Sequence, residues 1–174
     1  MKPFVITLLV LIYFTSCTVK KEERNKITDK VFHIYEENWI TNDLHGKNIY
    51  YYENGNIDIE LNYNQGEING EYLSYYRNKN LEFKVEYKDG VLLNVIEYYN
   101  EEGEELDFGT FNNGNGHLKK YYDDGTLRKE GDMLNGLMDG AWKFYTRGKY
   151  FQERLFKEGV AQDIRNNKRV SRVF

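Results

Sequence analysis

The sequence predicts an all-β protein, an antiparallel meander built from about five β-hairpins. Three observations predict it. The 174 residues contain 16 Tyr and 15 Gly but a single Pro, a composition that suits strands joined by tight turns. Glycines recur along the chain: Gly66, Gly90 and Gly114 are 24 residues apart, and Gly136 and Gly159 follow after 22 and 23. Between them, Ile57-Asp-Ile-Glu-Leu-Asn-Tyr63 and Leu81-Glu-Phe-Lys-Val-Glu-Tyr87 alternate apolar and polar residues without a break. Period two over that length means a strand with one dry and one wet face.

The first element is a leader over 1–16. Lys2 precedes an apolar run from Phe4 to Phe14, and Thr15 and Ser16 lead to Cys17, the one cysteine of the chain. This is the layout of a secretory signal, and the run is short of the ~20 residues that span a bilayer. With Phe14 where Leu is usual, the segment resembles a bacterial lipobox. That resemblance implies an acylated Cys17 as membrane anchor, each buried methylene contributing about 0.8 kcal/mol. The competing reading is an ordinary signal peptide with an incidental Cys. One Cys also excludes an internal disulfide and a thiolate metal cluster.

Residues 17–30 are charged and read as a solvated tether. Within them Lys21-Glu22-Glu23 resembles the Lys-acidic-acidic export signal of bacterial surface lipoproteins. Residues 31–45 form the N-terminal cap. Val31, Ile34, Tyr35 and Trp39 fall at helical offsets, while Val31–Tyr35 also reads as a strand; a terminal unit must close the first repeat in either case.

The repeats occupy 46–159. A Tyr-Tyr pair and a turn recur at Tyr51-Tyr52-Glu53-Asn54-Gly55, Tyr75-Tyr76-Arg77-Asn78-Lys79, Tyr98-Tyr99, Tyr121-Tyr122-Asp123-Asp124-Gly125 and Phe144-Tyr145. Asn54-Gly55 predicts a two-residue turn with positive φ at both positions. It would pair Tyr52 with Ile57 and Tyr51 with Asp58. The glycines at 46, 70, 116 and 140 would close each strand and turn the chain into the next hairpin. Residues 160–174 are a basic tail.

These units resemble the MORN-repeat variant, as in Tyr51 to Gly70, whose bearers are often labelled YwqK-family antitoxins. The resemblance implies an elongated, twisted, mostly single-layer antiparallel sheet, a single-layer meander that the short N-terminal helix or strand would cap. It marks backbone geometry rather than chemistry.

Alternation puts Tyr50, Tyr52, Ile57, Ile59, Leu61 and Tyr63 on one face. The other face takes Tyr51, Tyr75, Tyr99, Tyr121 and Tyr145 among Asp58, Glu60, Glu82, Lys84, Glu86, Arg128 and Glu130. These five tyrosines should recur every ~10 Å and are the candidate partner-binding residues. Cross-strand packing is the bland reading of the same strip.

Few residues suggest catalysis. There are three His, and none has metal-ligand spacing. Ser74 has no His nearby in sequence to act as its base. His117 reads as a hairpin surface residue. Glu101–Glu105 reads as a solvated turn without the ligand spacing of a calcium loop. No phosphate loop is present. A mean hydropathy of −0.76 excludes a polytopic membrane protein. Lys and Arg number 24 against 28 acids. Without Lys2 and the four basic residues of the last ten, 19 cations face 28 acids over 17–164, a net −9. No basic field there attracts nucleic acid.

The reading is thus an exported, membrane-anchored lipoprotein of the bacterial cell envelope, on the periplasmic side of the outer membrane or on the cell surface. It is not an enzyme, has no cofactor, and binds or scaffolds a protein, or less favourably a glycan. The alternative is an envelope immunity protein that neutralises a toxin.

Overall fold

The computed structural model describes residues 18–24, 30–38 and 40–162. Cys17, the leader, Trp39 and the tail from 163 lie outside them. The fold is all-β. Seven strands form one antiparallel meander: β1 (Thr18–Arg24), β2 (Val31–Asn38), β3 (Gly46–Tyr51), β4 (Ile57–Asn64), β5 (Glu67–Tyr75), β6 (Leu81–Lys88) and β7 (Val91–Tyr98). Five more form a second: β8 (Gly116–Tyr121), β9 (Leu127–Leu134), β10 (Leu137–Thr146), β11 (Lys149–Lys157) and β12 (Val160–Ala161). Neither sheet closes into a barrel.

The N-terminal region resolves the helix-or-strand alternative. Val31–Asn38 is strand β2, paired to β3 through His33–Tyr50 and Ile34–Ile49. Part of the expected tether is also strand, since β1 pairs with β2 from Thr18–Asn38 to Arg24–Val31. The charges that suggested a tether sit on an exposed edge, where Lys21 pairs with Glu37 and charged side chains suit an unpaired strand border. His33 is buried between the rings of Tyr35 and Tyr50, at 4.6 and 4.0 Å, with Nε2 3.3 Å from the Asn48 side-chain oxygen.

The turns exchange roles relative to expectation. The two-residue loops with positive φ at both positions are at Gln65-Gly66 (52° and 83°), and again at 89–90, 113–114, 135–136, 147–148 and 158–159. At Asn54-Gly55 only Gly55 has positive φ, 88°. Gly55 N–H donates to the Tyr52 carbonyl and Tyr52 N–H to that of Asn56, which makes a three-residue loop with a bulge. Asn54 stays in the ordinary region because its side-chain oxygen accepts from Asn56 N–H at 3.0 Å. The pairing becomes Tyr50–Ile59, then Tyr51–Ile57. Gly70 and Gly140 do not turn the chain. They lie inside β5 and β10 at φ 90° and 74°, where the register with β4 and β9 shifts.

That bulge has a large consequence for the faces. It leaves Asp58, Glu82 and Arg128 without a cross-strand partner, between Tyr50–Ile59 and Tyr51–Ile57, Ser74–Phe83 and Tyr75–Leu81, and Lys120–Lys129 and Tyr121–Leu127. A bulged residue departs from strict alternation. Glu82 and Arg128, expected on the wet face, instead line a cavity with Tyr72, Phe83 and Leu118. Asp58 likewise faces the hydroxyl of Tyr52.

The single continuous meander is broken in the third repeat. After Tyr98-Tyr99 the acidic turn Glu101–Glu105 is followed by Leu106-Asp-Phe-Gly-Thr-Phe111, which lacks a full alternating strand. This stretch still joins the sheets. Leu106 N–H donates to the Tyr98 carbonyl, and Lys119 N–H to that of Phe108. Gly109 bridges Leu118.

One apolar cluster crosses the break. Val85 and Leu92 come from the first sheet, Phe111 from the link, and Leu118, Met133 and Trp142 from the second. Trp142 is 1% exposed and its indole N–H donates to the Asp132 carbonyl at 2.9 Å. Gly131 makes room for it, because a Cβ there would stand 2.5 Å from the indole.

Candidate functional site

The repeats are stitched at both ends of each hairpin. At one end the second tyrosine of a pair donates its hydroxyl to the carbonyl of a tyrosine 23 residues later, in the next repeat. The bonds are Tyr52 to Tyr75 (2.6 Å), Tyr76 to Tyr99 (2.9 Å) and Tyr122 to Tyr145 (3.0 Å). The third repeat varies the rule: Tyr121 N–H donates to the Tyr98 hydroxyl at 3.0 Å. Turn asparagines add to it, with Asn56 donating to Arg77 and Asn80 to Glu101. At the other end a turn glycine N–H donates to the preceding repeat, from Gly66 to Leu44, Gly90 to Ile68 and Gly136 to Gly114. The Tyr-Tyr pair and the glycine series are therefore the backbone fasteners of an array.

This geometry accompanies the family match. The MORN repeat variant model matches residues 44–65, 68–89 and 114–135. The chain carries MORN-variant repeats. No curated protein matches it. The matched stretches cover β3–β4, β5–β6 and β8–β9 with their turns. The irregular third repeat, 90–113, falls between two matches.

Tyr51, Tyr75, Tyr99, Tyr121 and Tyr145 are all half-buried. Tyr75, Tyr99 and Tyr145 accept the inter-repeat bonds through their carbonyls. Three of the five hydroxyls are tied internally: Tyr99 to Glu97 (3.4 Å), Tyr121 to the Asp107 carbonyl (2.6 Å) and Tyr145 to Glu130 (2.6 Å). The bond to Glu130 pushes the Tyr145 phenol up to about 12, because the carboxylate stabilises the protonated form. Burial raises the Tyr75 and Tyr121 phenols. Ion pairs run beside the strip, Lys47 with Glu60 and Lys84 with Glu71, both at 2.5 Å.

His117 sits on β8 with Nδ1 2.9 Å from Asp132 and Nε2 3.5 Å from Glu130. It is part of a polar surface network with Tyr145. Ser74 is buried and its hydroxyl donates to Glu82 at 2.6 Å, so its partner is a carboxylate reached through the bulge.

Two features escaped sequence reasoning. Lys120 and Lys129 lie on the dry face. Parity would have found Lys129: with Glu130 on the wet face, its neighbour belongs to the other. The second is the terminal hairpin. Tyr150, Phe151, Leu155 and Val160 are 60, 65, 43 and 65% exposed, and Leu134 and Leu137 nearby are 50 and 44%.

Proposed function

We propose that this chain is a non-catalytic binding or scaffolding module, exported and held at a bacterial membrane through an acylated Cys17. The observation that carries the binding reading is the uncovered last hairpin. Tyr52, Tyr76 and Tyr122 each fasten one repeat to the next. Beyond β11–β12 no further repeat follows among the described residues, and Tyr150, Phe151, Leu155 and Val160 remain open to solvent. Repeat arrays need a covered end, and apolar residues grouped at a surface suit a protein contact. The favoured partner is a protein segment that docks on this hairpin and extends along the tyrosine strip. The strip is preorganised for such a role, since its internal bonds remove much of the ordering cost of binding.

The immunity reading keeps one supporting observation. The net charge of −9 over residues 17–164 would steer a basic partner such as a cationic toxin.

The test captures envelope proteins with the full-length chain and compares two double variants. Phe151→Asp/Leu155→Asp is expected to lose the partner. Tyr51→Ala/Tyr75→Ala is expected to weaken its capture. Equal recovery by wild type and both variants removes these surfaces from the proposal. In the same cells Cys17→Ala should abolish labelling by a fatty acid and release the protein from membranes. Unchanged labelling would overturn the anchor.

A further inference from the structure

Lys120 and Lys129 are Cα partners across β8 and β9, so their side chains rise from the same face. It is the dry face, shared with Leu118 and Trp142. Neither ammonium makes a hydrogen bond or ion pair with any described residue. Lys129 Nζ lies 5.6 Å from the Trp142 ring centre. Lys120 lines a cavity of about 320 Å³ walled by Tyr72, Phe83, Tyr98 and Leu118.

Two like charges side by side on a half-dry surface are costly. Burial pushes the Lys129 ammonium down to about 8, helped by the charges of Lys120 and Arg128. Lys120 is lowered by burial and then by Arg128, against a smaller opposing pull from Glu82. The carboxylates nearby do not pair with these ammonium groups. Glu82 accepts the Ser74 hydroxyl, and the Arg128 guanidinium sits 5.9 Å over the Tyr122 ring. Among the residues that line the cavity Lys120 and Arg128 balance Glu82 and Asp123, and Lys129, the cross-strand partner of Lys120, adds one positive charge beside it. That balance suits a monoanion better than a dianion. The aromatic walls suit a flat apolar body, and the volume lies at the lower end of small-ligand pockets, about 300–1,000 Å³.

We propose that this cavity binds a small aromatic monocarboxylate, its carboxylate bridging Lys120 and Lys129 and its ring lying between Tyr72, Phe83 and Tyr98. This site is separate from the terminal hairpin and stands or falls independently of the partner proposal. The carboxylate supplies the hydrogen-bonding partner that the two lysines lack, and charge-assisted hydrogen bonds make it the anchoring group. Binding involves no covalent step.

Phenylacetate is the probe, with phenethyl alcohol as the uncharged analogue, both titrated into the full-length protein by calorimetry and side-chain NMR. Phenylacetate should shift the resonances of Phe83 and Leu118 and raise the ammonium titration of Lys129. Phenethyl alcohol should bind roughly tenfold or more weakly, the loss expected when a charged contact goes. Lys120→Met and Lys129→Met keep the side-chain length and should each weaken phenylacetate by about tenfold. Lys143→Met, on the exposed side of β10, should leave it unchanged. Equal affinity for acid and alcohol, undiminished binding by both lysine variants, or unmoved Phe83 and Leu118 resonances would each overturn the proposal. The Lys129 titration reads the site in unmodified protein, so a variant that folds poorly does not protect the idea.

Discussion

Two kinds of ionisable residue are shifted by their surroundings toward the neutral form, and they act in opposite directions with pH. Lys129 titrates at about 8 in the fold because burial disfavours its ammonium, against roughly 10.4 in an unfolded chain. Between those values the unfolded chain binds more protons, so stability rises with pH through that window. Lys120 is lowered in the same sense. The phenols do the reverse. Burial pushes Tyr72 up to about 12 and the Glu130 bond does the same for Tyr145. From about pH 10 the unfolded chain loses phenolic protons that the folded chain retains, and stability falls. The expected curve climbs above about pH 8 and turns down beyond about pH 10. Urea midpoints measured across this range check it. Lys129→Met should raise the midpoint near neutral pH and flatten the climbing limb. A midpoint that falls steadily from neutral pH upward would contradict the assignment.

At the scale of elements, the Tyr-Tyr motif is a fastener before it is a surface. The Tyr76 hydroxyl reaches the Tyr99 carbonyl at 2.9 Å from a ring that is 6% exposed. Tyr76→Phe keeps the ring and loses the bond, at a cost of about 1 kcal/mol and up to ~3 if the carbonyl stays dry. Asn80→Ala removes the bond to Glu101 at an exposed turn, where water replaces the donor, and should cost less. Chemical denaturation of the two variants orders them; a larger loss for Asn80→Ala would place the fastening at the turns instead. The strands themselves were legible in the sequence. Ile57–Tyr63 and Leu81–Tyr87 alternate visibly, and the glycine series marks where hairpins meet. What could not be read was the bulge after each Tyr-Tyr pair. Asn-Gly fits both a two-residue and a three-residue loop, and the choice depends on hydrogen bonds of Asn54 and Asn56 to the next repeat. That single residue of register carries Glu82 and Arg128 from the wet face to the cavity. It is why the tyrosine strip was foreseen and the charged lining of the cavity was not.

For the whole molecule, the question is whether two sheets make two folding units or one. The alternation that defines a strand lapses in the third repeat, so strand pairing alone would allow independent sheets. The core argues otherwise. Phe111 lies in the link, is 2% exposed, and packs in one cluster with Val85 and Leu92 on one side and Leu118, Met133 and Trp142 on the other. Gly114 N–H donates to the Leu93 carbonyl and Gly136 N–H to that of Gly114, so the turn stack also passes through the break without interruption. Neighbour coupling of this kind spreads a local loss to both sides. Phe111→Ala should cost about 3–5 kcal/mol, the range for emptying a buried aromatic site. Its amide-exchange signature is the informative part. Protection should fall together in β6–β7 and in β9–β10, while β1 and β11–β12, exposed at the two ends, already exchange fast through local fraying. Retained protection of β6–β7 alongside loss in β9–β10 would mean that the sheets fold separately and that the link merely tethers them.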